Sequence, residues 1–380
     1  MKIGILTQPL RNNYGGLLQN YALQQVLKGM GHTVETIDWL EEYSWMRRLL
    51  ARGKSTILSY LRKDMERPGY KPTKAESAVI SQNTRRFVER YISVCPHHVS
   101  QEKEFSIVDS QFRYDAYIVG SDQVWRPGYN AFLPSMFLNF AKREDVKRVA
   151  YAASFGTSEW EFTPEMTALC SRLAKRFDLI TVREESGVSM CKEHLGVEAK
   201  LVLDPTMLLD REDYEKLVLN GKEPKHDGIL FHYILDPGDE KRALIEYAAS
   251  SQGLQPYTIM TNSHYNLKWN VKHHIEDCVV MPVTSWLRGF MDAEMTVVDS
   301  FHGAVFSIIF NKPFWVFSNS KRGNARFESL LATFGLEERM IPVNDSTNID
   351  WHKPIDWQRV NEILKRERER SISLLRQGLA

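Results

Sequence analysis

The chain has 380 residues and a formal net charge of +1, with 43% hydrophobic and 26% charged residues. That length exceeds one ordinary hydrophobic core and predicts two domains. The near-neutral balance removes the bulk electrostatic case for nucleic acid or an anionic membrane.

From the N-terminus, KIGILT reads as a buried strand, and QPLRNNYGG as a turn-rich loop. LLQNYALQQVLKGMGH follows with apolar residues at helical spacing and glycines that end the helix. TVETIDW is the next strand. This βαβ opening predicts a parallel sheet covered on both faces. Residues 45–104 read as a charged helical insertion. Within it the basic, aromatic stretch Trp45–Arg67 is read as a solvated hairpin, with peripheral membrane contact as the second reading. YDAYIVG, RVAYAASFG, DLITVRE and KLVLDP are then predicted strands, with a helix over Ala168–Phe177. A first domain therefore spans 1–209.

The second domain, 210–345, repeats the alternation: GILFHYIL, LQPYTIM, EMTVVDS and KPFWVFS as strands, with helices over Glu240–Gln252, Thr284–Met291, His302–Phe310 and Arg326–Phe334. A charged helix, Ile355–Leu379, dominates the tail, 346–380, and is assigned as a cover for the first domain. The fold class is α/β, two doubly wound domains with a cleft between them.

Four cysteines, Cys95, Cys170, Cys191 and Cys278, form no CxxC pair, which argues against a zinc ribbon or thioredoxin motif and fits a reducing, cytoplasmic setting. MKIGILTQPL lacks the extended apolar region of a secretory signal. No apolar run reaches the roughly 18 residues of a membrane span. No HExxH motif or other convincing metal constellation is present, and the adjacent pairs His97-His98 and His273-His274 diverge in regular structure. No cofactor or metal is expected.

In open α/β sheets, ligands bind beyond the carboxyl ends of the strands. Those ends carry Asn13-Tyr14-Gly15-Gly16, Asp122 and Trp125, Arg183, Asp204, and Asp299-Ser300-Phe301-His302-Gly303, followed downstream by Lys321, Arg322 and Arg326. One histidine among basic, acidic and small residues suits an anionic substrate and proton transfer. NNYGG has neither P-loop nor GxGxxG spacing, but glycines before a helix let backbone N–H groups approach a ligand. Asp122 reads either as a helix N-cap or as a functional carboxylate, and Arg183 as a site residue or a surface ion pair with the acids that follow it. Asp204 before Pro205 reads as a turn former. His302, at a helix N-terminus where the dipole disfavours its charged form, is the main candidate for acid–base chemistry.

The order of blocks NNYGGLLQNYAL, YDAYIVGSDQVW, YAASFG, TVREESG, LVLDPT, VVDSFHGAVFSIIFNKPF and KRGNARFESLL resembles the polysaccharide pyruvyl transferase family over residues 1–40 and 107–335. The resemblance implies a GT-B arrangement of two Rossmann-like domains, the first on the acceptor side and the second on the donor side. It implies transfer of a pyruvyl unit from phosphoenolpyruvate, as co-substrate, to a sugar or lipid-linked saccharide, with formation of a ketal and release of phosphate. It maps the family's histidine onto His302, its arginine onto Arg183, a downstream basic residue onto Lys321 or Arg322, and its N-terminal loop onto Asn13, Tyr14, Gly15 and Gly16. On the mechanism so implied, His302 is the catalytic acid or base, and Asp122 or Asp299 is a second carboxylate that orients the acceptor hydroxyls or the imidazole. Ser300, Gly303 and Arg326 are assigned with Arg183, Lys321 and Arg322 to the donor, and Trp125 with the Asn13 loop to the acceptor. Many members carry Ser-Arg-x-His where this chain reads Asp-Ser-Phe-His, so Ser300 replaces an arginine. The alternative is a GT-B glycosyltransferase with a nucleotide-sugar donor, for which Glu328 is the candidate ribose-binding acid.

Overall fold

A computed structural model describes residues 1–41, 72–261, 267–318, 323–341 and 349–380. The first sheet contains β1 (Lys2–Leu6), β2 (Thr33–Thr36), β3 (Ala116–Val119), β4 (Lys147–Ala153), β5 (Leu179–Val182) and β6 (Lys200–Leu201). Its order is β2-β1-β3-β4-β5-β6, and every pairing is parallel. The second sheet holds β7 (Ile229–Tyr233), β8 (Gln255–Tyr257), β9 (Met295–Val298), β10 (Phe314–Phe317) and β11 (Met340–Ile341). Its order is β11-β10-β9-β7-β8, again parallel throughout.

Strands buried on both faces need apolar side chains in both directions, and all residues of β3, β9 and β10 are buried. Each sheet reverses its strand order once, at β1/β3 and at β7/β9. A crevice opens above the carboxyl ends of the strands at such a switch point. The two crevices face one another across the domain boundary.

Residues 42–71, which include the Trp45–Arg67 stretch expected as a solvated hairpin, lie outside the described residues. The part that follows forms helices Lys74–Ile80 and Gln82–Tyr91, the first closed by a capping box between Thr73 and Glu76. Residues 92–100 correct the helical expectation. They run extended, with bridges from Val94 to Thr36 and from Val99 to Trp39. Cys95 and Val99 are buried there, which a solvated helix would not achieve. Helix Pro164–Ala174 starts four residues earlier than predicted, because Thr163 caps it by accepting the Met166 N–H and Pro164 occupies the first turn.

The last helix, Trp357–Leu379, crosses back to the first sheet. Arg368 Nε donates to the Met207 carbonyl at 2.8 Å, and Arg370 Nη2 to that of Leu201 at 2.8 Å. Gly378 packs so closely that a Cβ there would stand 2.8 Å from Leu179.

Candidate functional site

Between the two crevices lies a cavity of about 590 Å³. The first domain supplies Asn12 to Gly15 and Asp122-Gln123, and the second supplies Tyr233, Asp299 to His302, and Arg326. Pro72, Ile80, Ile259 and Val280 make part of its rim apolar.

The Asn13 loop is built by capping. Asn13 Oδ1 accepts the Gly16 N–H at 3.1 Å and starts helix Tyr14–Gly29. Gly16 is therefore used inside the loop, while Asn13, Tyr14 and Gly15 face the cavity. Tyr14 joins the domains. Its hydroxyl donates to the Met281 carbonyl at 2.9 Å, and its ring stacks on Trp286 with centroids 5.7 Å apart.

His302 opens helix Phe301–Ile309, capped by Ser300, whose Oγ accepts the Gly303 N–H at 3.0 Å. The helix is buried on every side, because its face toward the first domain is covered as fully as its face toward its own sheet. Gly15 lies against the imidazole, and a Cβ at position 15 would come within 2.1 Å of His302 Nδ1. His302 Nε2 faces Asp204 Oδ2 at 3.6 Å, an ion-pair separation beyond hydrogen-bond reach.

Asp204 belongs to a buried charge cluster that the sequence did not reveal. Arg183 Nη1 donates to Asp204 at 2.9 Å, and Nη2 donates to Asp122 at 2.8 Å. Ser121 Oγ lies 3.0 Å from the same Asp204 oxygen, while the other oxygen accepts the Thr206 N–H at 3.1 Å. Asp204 is thus both the expected turn former and the counter-charge of Arg183. Burial alone would raise both aspartates, but His302 and Arg183 hold Asp204, and Arg183, His302 and Arg326 hold Asp122, below the ordinary carboxylate range. Asp122 sits at φ 69°, in the left-handed region, and lines the cavity. Arg326 lines the cavity too; burial, then its neighbour Arg183, pull it down to about 10.

Several expectations are corrected. Arg183 is turned away from the cavity, with two nitrogens spent on Asp122 and Asp204 and its guanidinium 4.5 Å from the centre of the Phe301 ring. It organises carboxylates and does not meet a donor. Trp125 is fully buried, stacked on Phe137 at 4.7 Å, with its indole N–H donated to the Met136 carbonyl. It offers no face to an acceptor. Gly303 is small because Ser300 Oγ and Val298 crowd it, and its N–H is already bound. Asp299 accepts from the Leu235 and Asp236 N–H groups and from Lys241, so it anchors the turn after β7 and not the imidazole. Glu328 is exposed and outside the cavity lining. Lys321 and Arg322 lie outside the described residues.

Among the described residues, no helix is long and apolar enough to cross a membrane. A family model described as polysaccharide pyruvyl transferase matches residues 13–321. A search of curated proteins gives no match. Among solved structures, the UDP-GlcNAc 2-epimerase of Methanocaldococcus jannaschii, in complex with UDP-GlcNAc and UDP, superposes with a TM-score of 0.50 at 11% identity, covering 96% of this chain and 92% of that one. An alpha-glucosyltransferase (AGT) in complex with UDP gives a TM-score of 0.44 at 10% identity, covering 100% and 96%. At 11% identity the likeness to the epimerase is one of fold alone, and with the two parallel sheets it gives two Rossmann-like domains in the GT-B arrangement.

Proposed function

This chain belongs to the polysaccharide pyruvyl transferase family, and from that premise we propose that it transfers the pyruvyl unit of phosphoenolpyruvate to two hydroxyls of a sugar. Family membership implies a transferase with a sugar or polysaccharide acceptor. The donor and the ketal product are the finer reading. The observation that carries it is the placing of His302 and Arg326 in one cavity opposite Asp122 and the Asn13 loop.

The donor has a carboxylate and a phosphate. Arg326 remains cationic near neutral pH, since even its lowered value of about 10 lies far above 7. It shares the cavity wall with Ser300 and supplies there the kind of charge that the family arginine would bring. Lys321 and Arg322 are further candidates for the phosphate.

Ketal formation adds one proton to the donor methylene carbon, which becomes the methyl group. Two sugar oxygens bond to C2, and the bond from C2 to the phosphate oxygen breaks. Of the two protons that leave the hydroxyls, one balances the new methyl group and the other departs with phosphate. His302 is the group that exchanges them. With Nε2 facing Asp204, Nδ1 is the nitrogen left for the ligand. Asp122 is placed to orient or deprotonate an acceptor hydroxyl, with Asn13, Tyr14 and Gly15 beside it.

The test is His302→Ala, checked for native folding by circular dichroism. Pyruvyl transfer and phosphate release from phosphoenolpyruvate should fall at least about a hundredfold. Turnover near that of the parent protein would refute the assignment. Thermal stabilisation by UDP- or GDP-sugars and not by phosphoenolpyruvate would replace this reading with glycosyl transfer.

A further inference from the structure

Glu184 is a buried charge that this reaction leaves unused. It follows Arg183 at the end of β5, and no part of it reaches solvent. Its Oε1 accepts the Phe155 N–H at 2.7 Å and the Gly156 N–H at 3.3 Å. Among the described residues, its Oε2 has no hydrogen-bond partner. Burial raises the carboxyl above the usual range, while Arg183 and Arg326, both near, pull the other way. A side chain that only filled space here would be apolar, because an unsatisfied buried oxygen costs on the order of 1–3 kcal/mol.

The turn that Glu184 holds is a platform for the other domain. Gly156 is closed on one side by Gln123, whose Oε1 would stand 2.0 Å from a Cβ at position 156. On another side, Gly323 sits directly on its carbonyl. Gly323 has φ 85°, and a Cβ there would stand 2.1 Å from the Gly156 oxygen. Two residues later, helix Ala325–Phe334 begins, with Arg326 in its first turn. Contacts therefore run from Glu184 through the Phe155–Gly156 turn and Gly323 to Arg326, crossing from the first domain to the second. The neighbouring backbone joins the same pair of elements, since the Glu185 N–H donates to Ser329 Oγ at 2.9 Å.

We propose that Glu184 is a positioning residue for the donor: by fixing the Phe155–Gly156 turn it sets where the Gly323–Arg326 segment, and with it the Arg326 guanidinium, stands in the cavity. The proposal rests on the phosphoenolpyruvate reading above. Hydrogen-bond acceptance is the property that matters, so glutamine, whose carbonyl can accept both amides, should substitute for the carboxylate.

The experiment is titration calorimetry of the full chain with phosphoenolpyruvate. Glu184→Ala should weaken binding about tenfold or more, the scale of one lost charge-assisted contact, while Glu184→Gln stays within about threefold of the parent protein. Gly323→Ala approaches the same contact from the opposite side without touching Glu184, and should reproduce the loss. It also decides the matter if Glu184→Ala fails to fold. Unchanged affinity in Gly323→Ala, or a Glu184→Gln variant as weak as the alanine variant, would overturn the positioning role and leave the proposed reaction standing. Failure of the parent protein to bind phosphoenolpyruvate would overturn both.

Discussion

At the scale of single residues, the contact between Gly15 and His302 constrains the site most tightly. The two residues come from different domains, and the histidine fits because position 15 has no side chain. The constraint is steric, so the smallest substitution tests it. Gly15→Ala should displace the imidazole by an ångström or more and lower pyruvyl transfer by about a hundredfold, a typical cost of such misplacement. Steady-state phosphate release, compared with the melting temperature, checks this; full activity would show that the ring has room to move. Gly15 was legible as a permissive glycine before a helix, but its steric reason was not, because the ring it meets lies 287 positions away by simple subtraction of the residue numbers. The charge role of Asp204 and the part played by Glu184 were hidden for a related reason. Each follows an apolar strand, as LVLD and TVRE, which is the available signal, but each also admits an ordinary local explanation as a turn former or an acid beside an arginine.

Single elements were more readable than single contacts. Alternation of apolar runs with helical periodicity located β1 to β10, since a doubly buried strand requires that composition. Two-residue β11 gave no such signal, and residues 92–100 were hidden in a charged stretch. Helix Phe301–Ile309 is the element on which the site depends, and its start is set by Ser300. Ser300→Ala removes the acceptor of the Gly303 N–H and should cost about 1 kcal/mol of stability, measured by urea unfolding. His302 lies in the first turn, so activity should fall by more than the loss of folded protein accounts for. A variant with parental stability and activity would show that the cap is dispensable.

For the whole molecule, the two-domain plan followed from length and alternation, whereas the way the domains lock together did not. The lock is ionic as well as aromatic. Asp122, Arg183 and Asp204 belong to the first domain and meet His302 and Phe301 of the second. Both aspartates are held below their unfolded value of about 3.9, so they contribute stability above that pH and lose it as the pH falls through their folded values. Asp204→Ala strips Arg183 of one of its two counter-charges and should cost about 3–5 kcal/mol at pH 7. The gap between parent and variant should be narrower at pH 3, because the parent has begun to lose what the variant lacks. An equal gap at both values, from urea unfolding curves, would rule out the ionic explanation.

The return of helix Trp357–Leu379 to the first sheet has a consequence for how the protein is made. Ribosomes release residues in order, and this helix emerges only after the entire second sheet. The groove that receives Ser371 and Gly378 beside Leu179 and Leu203 stays uncovered throughout that interval. At a synthesis rate of about 5–20 residues per second, the delay between β6 and the final helix is on the order of ten seconds. The first domain to be translated is therefore the last to be finished, and until then its groove is open to chaperones and to aggregation.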